Sequence, residues 1–111
     1  MDNHQRAEEM RKRISRQFEN SGIPCVHTKG SGNVHHDGDA RVPGFLREEK
    51  YKNTKGWGVD YKDFSKSLQQ AIHSGKRLLY VVENKHQDAL VAMPLEQFLP
   101  ILSVWLENEN A

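Results

Sequence analysis

The sequence predicts a single α/β domain, a central mixed β-sheet flanked by helices in the order αβββαββα. Three observations carry that expectation. Two segments, near residues 4–20 and 61–74, repeat apolar side chains at helical spacing; short β-forming runs lie before and after the second of them; and a Pro-Gly pair separates two of those runs. At 111 residues the chain has room for one modest core, so residues 1–111 are read as one domain.

In the first segment Ala7, Met10, Ile14 and Phe18 recur every three or four residues among charged ones, the pattern of an amphipathic helix with a narrow apolar stripe. Asn20-Ser21-Gly22 tolerates a left-handed cap and Pro24 cannot continue the helix. Arg6, Arg11, Lys12, Arg13 and Arg16 make its polar side basic, suited to a phosphate backbone or simply to solvent. Residues 23–28 are expected to form a short strand that ends at Gly30-Ser31-Gly32. Asp39–Val42 and Phe45–Tyr51 follow as two further strands, with Pro43-Gly44 at the centre of a type II turn, so that the three make a meander.

Beyond a polar loop over 53–59, Asp60 suits a helix N-cap, with Asp63 as an acid in the first turn. Phe64, Leu68 and Ile72 give the helix its apolar face, and Gly75 ends it. Arg77–Glu83 and Asp88–Met93 read as a hairpin whose first strand is the more deeply buried. Leu95, Phe98, Leu99, Leu102 and Leu106 then mark a last helix, begun by Pro94 and expected to kink or divide at Pro100. A strand, helix, strand unit over 45–83 makes its two strands parallel through a right-handed crossover.

Composition narrows function only slightly. The formal net charge is +1, with 16 basic and 15 acidic residues, so the charge total does not argue for nucleic acid or membrane. A lone Cys25 leaves no internal disulfide, and no apolar run approaches the roughly 20 residues of a membrane span or resembles a signal peptide. The expectation is a soluble, cytoplasmic protein with no membrane partner. His27, His35, His36, His73 and Cys25 lack the paired spacing of a structural zinc site.

The chemistry concentrates in residues 30–52. Residues two apart on a strand share a face about 6.6 Å apart, so Glu48 and Lys50 point one way and Glu49 the other. Asp39, on the neighbouring strand about 4.8 Å away, reaches the side of Glu48 and Lys50. Two such carboxylates can share a hard cation at about 2.1 Å. That cation would lower the pKa of a bound water and stabilise charge on a phosphodiester, with Lys50 positioning water or phosphate. A Glu-x-Lys pair by itself is more often a solvated charge pair. Glu49 implies either a less buried strand or a pairing of its carboxylate with Lys52 or Arg47.

Taken together, the initial acid-bearing helix, Gly-Ser-Gly, Gly38-Asp39, the Pro-Gly turn and Glu48-Glu49-Lys50 resemble the PD-(D/E)xK nuclease superfamily. Within it, they are most similar to the archaeal-type and phage Holliday junction resolvases, over residues 8 to about 83. The resemblance implies a restriction-endonuclease-like fold and magnesium-dependent endonucleolytic cleavage of DNA, with manganese as a substitute and four-way junctions as the specific target. It also implies a homodimer. By the same resemblance Asp39 and Glu48 are the metal ligands, Lys50 the catalytic lysine, Ser31 a residue near the scissile phosphate, and Glu9, or Glu8, the helix acid. Asp37 is the second choice for Asp39, and Glu49 stands where relatives often carry an apolar residue or Cys.

Lys52, Lys55, Trp57 and Lys62 interleave positive charge with an aromatic, a pattern that tracks DNA; a Trp57 ring packed over the sheet edge is the plainer reading. Gln69 and Gln70 resemble glutamines on the corresponding helix of some nucleases, although helix surfaces commonly carry them. Leu78, Val91 and Trp105 are apolar candidates for a dimer contact. The competing readings are another nicking or restriction-type nuclease of this superfamily, or a catalytically silent nucleic-acid-binding module that keeps its fold.

Overall fold

The computed structural model of the chain describes residues 2–27 and 40–110. Its elements are α1 (Asn3–Asn20), β1 (Val26–His27), β2 (Ala40–Arg41), β3 (Phe45–Tyr51), α2 (Tyr61–His73), β4 (Arg77–Glu83), β5 (Ala89–Ala92) and α3 (Leu95–Glu109). The result is a small α/β domain with three helices and a three-stranded mixed sheet.

That sheet has the order β3-β4-β5, with β3 parallel to β4 and β4 antiparallel to β5. The parallel pair is the strand, helix, strand unit expected from the sequence: α2 carries the chain from the end of β3 back to the start of β4. The expected three-stranded meander is not continuous. β1 and β2 pair antiparallel as a separate two-stranded sheet, joined to β3 by the single bridge Val42↔Phe45. The tight Pro43-Gly44 turn makes that bridge, with Gly44 at φ 83°, where a side chain would be strained.

Capping fixes the limits of the helices. The Asp2 carboxylate accepts from the Gln5 N–H at 2.8 Å while the Gln5 side chain accepts from the Asp2 N–H at 3.0 Å, a reciprocal capping box that starts α1. At the end of α2, Gly75 at φ 68° lets the Lys76 N–H turn back to the Ala71 carbonyl at 2.8 Å, and β4 begins one residue later.

The sheet is packed on both faces. Ala71, Leu78, Tyr80 and Val82 form the core under α2, with Leu46, Phe64, Leu68 and Ala92 around it. Met10, Ile14 and Val81 form the core under α1, with Phe18 and Tyr51. Arg13 of α1 forks onto the Glu83 carboxylate at 2.5 and 3.3 Å, pinning the helix to the end of a strand whose Glu83 is 1 % exposed. As the continuous apolar run over 77–83 implied, β4 is the buried strand of the hairpin and β5 the exposed one.

Four details depart from the sequence reading. Ile72 is exposed, because the buried side of α2 runs through Ser67 and Ala71, between Phe64 and Leu68, rather than straight along i, i+4, i+8. Leu78 is fully buried core, so it is no interface residue. Pro100 does not divide α3, which is assigned as one helix over Leu95–Glu109: a proline forfeits one internal hydrogen bond and its neighbours carry the rest. Most consequentially, α3 has no buried residue, although the sequence reading placed helices against the sheet. Among the described residues, no helix is long and apolar enough to cross a membrane.

Candidate functional site: a cleft between a strand and the second helix

β3 sorts its charges by parity. Arg47 and Glu49 point toward α1. Glu48 and Lys50, with Leu46, point toward α2, where a cleft of about 410 Å³ is lined by Leu46, Glu48, Lys50, Asp63, Lys66, Ser67, Gln70 and Ser74. Helical spacing brings the second wall together: Asp63, Lys66, Ser67, Gln70 and Ser74 lie three or four residues apart on α2.

On the other face Arg47 and Glu49 form an ion pair at 2.6 Å, with side chains 1 % and 4 % exposed. The Arg47 guanidinium also donates to the Ser15 hydroxyl at 2.8 Å, the Arg11 carbonyl at 3.3 Å and the Cys25 sulfur at 3.5 Å, and lies 5.2 Å from the centre of the Phe18 ring. This is a desolvated structural cluster under α1, and it supplies the partner the sequence expected for Glu49. Burial pushes the Cys25 thiol up from its ordinary pKa, against the opposing pull of Arg47, which keeps it a thiol rather than a nucleophilic thiolate.

Beneath the cleft lies Tyr80. It sits directly opposite Glu48 in the parallel register, is fully buried, and stacks edge-on against Phe64 at 5.2 Å between ring centres. Among the described residues its hydroxyl has no hydrogen-bond partner. Burial, then the negative charges of Asp63, Glu48 and Asp60, push its pKa up to about 12. Near neutral pH the phenol therefore keeps its proton and remains a hydrogen-bond donor beside two carboxylates of the cleft.

The structure thus brings Glu48 and Lys50 together on one face of one strand. Asp39, Asp37 and Ser31 lie outside the described residues, as do His35 and His36. Glu8 and Glu9 are exposed on α1, Glu9 is paired with Lys12 at 4.0 Å, and α1 packs on the face that carries Arg47 and Glu49. Neither acid is among the described residues that line the cleft. Much of the basic side of α1 is engaged within the fold: Arg13 holds Glu83, and Arg6 lies 5.9 Å from the centre of the Tyr51 ring.

The loop after β3 is tied down rather than open. The Trp57 indole N–H donates to the Asp88 carbonyl at 2.9 Å while the residue stays 40 % exposed. The Lys55 carbonyl accepts from the Asn84 amide at 2.7 Å, and the Asn84 side-chain oxygen accepts from the backbone of His86 and Asp88, so one buried asparagine sets both the hairpin turn and this loop. Lys55 and Lys62 present exposed side chains, and Lys52 is half-buried.

Lys66 and Tyr80 escaped the sequence reading, and Asp63 was read only as a helix-start acid. The signal for Asp63 and Lys66 was their position beside the Phe64–Leu68 stripe. For Tyr80 there was none, since it sits within an apolar run.

No protein-family model, curated protein or solved structure matches the chain.

Proposed function

We propose that the chain is a metal-dependent endodeoxyribonuclease of the PD-(D/E)xK type with a restriction-endonuclease-like fold, selective for branched DNA such as four-way junctions and acting as a homodimer. One observation carries this reading: Glu48 and Lys50 share the cleft under α2, while Glu49 between them is consumed by Arg47 on the opposite face. A strand that merely displayed solvated charge has no reason to gather Glu48, Lys50, Asp63, Lys66 and Gln70 around one concavity.

The donor chemistry suits a hard cation such as magnesium. Among the described residues the cleft offers carboxylates and amide or hydroxyl oxygens and no thiolate or imidazole. By the resemblance Glu48 would hold the ion together with Asp39, which lies outside the described residues. Bound there, the ion would supply Lewis-acid stabilisation of the phosphate and a more acidic water. The chain's own residues do the rest. Lys50 orients the phosphate or the attacking water, Lys66 adds a second positive charge on the facing wall, and the buried Tyr80 phenol stays neutral below them under the negative charge of Asp63 and Glu48. Lys52, Lys55 and Lys62 would contact the DNA backbone.

The deciding experiment is cleavage of a labelled four-way junction beside a matched linear duplex, in magnesium and in EDTA. Junction cleavage in magnesium alone, lost in Glu48→Gln and in Lys50→Ala with binding in calcium retained, is the expected result. Binding without cleavage in the wild type would leave the silent DNA-binding module, and neither binding nor cleavage would overturn the reading altogether.

A further inference from the structure

α3 is apolar along most of its length and has no buried residue. Leu95, Phe98, Leu99, Leu102, Trp105 and Leu106 recur at i, i+3, i+4, i+7, i+10 and i+11, the spacing of a helix-pairing seam. Their exposures are 68, 42, 50, 37, 56 and 46 %. The side turned to the body is a different one. Gln97 accepts from the Leu78 N–H at 2.9 Å, where β5 has already stopped short of β4, and Ile101, one turn on, is partly buried. At about 100° per residue, Gln97 and Ile101 point roughly a third of a turn away from the seam, and Pro100 also lies off it.

An amphipathic helix normally turns its apolar stripe inward; this one is held by its other side and turns the stripe out. We infer that the α3 stripe is the contact surface for a second copy of this chain, the two helices packing antiparallel about a two-fold axis near Leu102. Area supports a second copy. The exposed stripe amounts to roughly 600 Å² per protomer, about 1,200 Å² when two copies close on it, where specific interfaces begin. A two-fold contact lets one apolar surface serve as its own complement, and the helix, about 22 Å long, presents its seam along its whole length. Charge sets the direction. Glu107 and Glu109 close the C-terminal end with no basic residue in the last turn, so parallel pairing would bring four carboxylates together. Antiparallel pairing splits the four into two pairs and sets each beside the partner helix's N-terminus, the positive end of its dipole, next to Glu96.

A dimer without cleavage leaves this surface standing and fails the nuclease reading; cleavage without a dimer overturns this surface and the homodimer in that reading, and leaves its chemistry. The test is sedimentation velocity on the full chain across a hundredfold dilution from about 100 µM, a range that brackets micromolar Kd values. The wild type is expected to dimerise with a Kd in the micromolar range or tighter. Leu102→Glu should weaken that at least about a hundredfold while far-UV circular dichroism and Tm stay unchanged, since Leu102 is exposed in the protomer. Val104→Glu, at 56 % more exposed than Leu102 at 37 % but on the side of the helix away from the stripe, should leave the dimer intact. A wild type that stays monomeric at every concentration, a Leu102→Glu chain that still dimerises, or a Val104→Glu chain that dissociates as fully as Leu102→Glu would each overturn the assignment. A monomeric wild type would leave a different protein as the occupant of the stripe.

Discussion

Within four consecutive residues of β3, two acid and base pairs meet opposite fates. Arg47 and Glu49 are sealed under α1, nearly devoid of solvent and bound to each other and to Ser15. Glu48 and Lys50, offset by one residue, line an open cleft under α2. The residue types and their spacing are alike, and what differs is the helix above. α1 lays Met10, Ile14 and Phe18 tightly over its side of the sheet, whereas α2 buries Phe64, Leu68 and Ala71 to one side and leaves its polar edge facing Glu48. A charged pair becomes structural when the helix covers it and available for chemistry when the helix stands off.

The strongest way to break that contrast is to remove one partner of the sealed pair. Arg47→Ala leaves the Glu49 carboxylate buried without its guanidinium and should cost about 3–5 kcal/mol in urea unfolding. Arg47→Met combined with Glu49→Leu should recover most of that loss, because the stranded charge goes with it. A loss below about 1 kcal/mol for Arg47→Ala would make the two faces equivalent.

A smaller effect sharpens the contrast at the cleft floor. The Tyr80 phenol titrates higher in the folded protein, at about 12, than the ordinary value near 10 of an unfolded chain. Between those values the folded state holds a proton that the unfolded state has released. Tyr80 therefore contributes stability that is present in full below pH 10 and lost as pH rises toward 12, on the order of 2–3 kcal/mol. Denaturant unfolding of the wild type and Tyr80→Phe from pH 9 to 12 should show the wild type declining more steeply by that amount. Parallel pH profiles would show that the hydroxyl is not held neutral by burial.

The smallest effect belongs to the open pair. Glu48→Gln and Lys50→Ala should each change stability by less than about 0.5 kcal/mol, since both side chains line an open cleft. Thermal and urea unfolding check this. A loss of 2 kcal/mol or more from either would make the Glu48 and Lys50 face structural as well, and the cleft would lose its distinction.

Much of the fold was legible in the residues. Asp60, Gly75 and the Pro43-Gly44 turn mark where elements begin and end, the parity of 48, 49 and 50 puts Glu49 on the other side, and the strand lengths between turn residues give the order αβββαββα. These are short-range facts, decided by φ preferences, capping and the two periodicities, and they need only neighbours in sequence. The candidate site was half legible. Glu48 and Lys50 follow from strand parity, but Lys66 reaches the cleft only through the packing of α2 over β3, and Tyr80 lies beneath it only because the parallel register sets it against Glu48.

What the sequence by itself determined was which stretches are helix or strand, where they stop, and which side chains share a face. Only the tertiary structure decided which faces are covered. The α3 stripe reads by periodicity as a core-facing surface, yet Gln97 fastens the helix to the β4 backbone by another side and leaves Leu102 and Trp105 in solvent. The periodicity of α1 showed a stripe but not that its closure would bury Arg47 beside Glu49. Burial depends on contacts between residues distant in the chain, and it sets the local dielectric: the same carboxylate is a buried anchor at Glu49 and a cleft residue at Glu48.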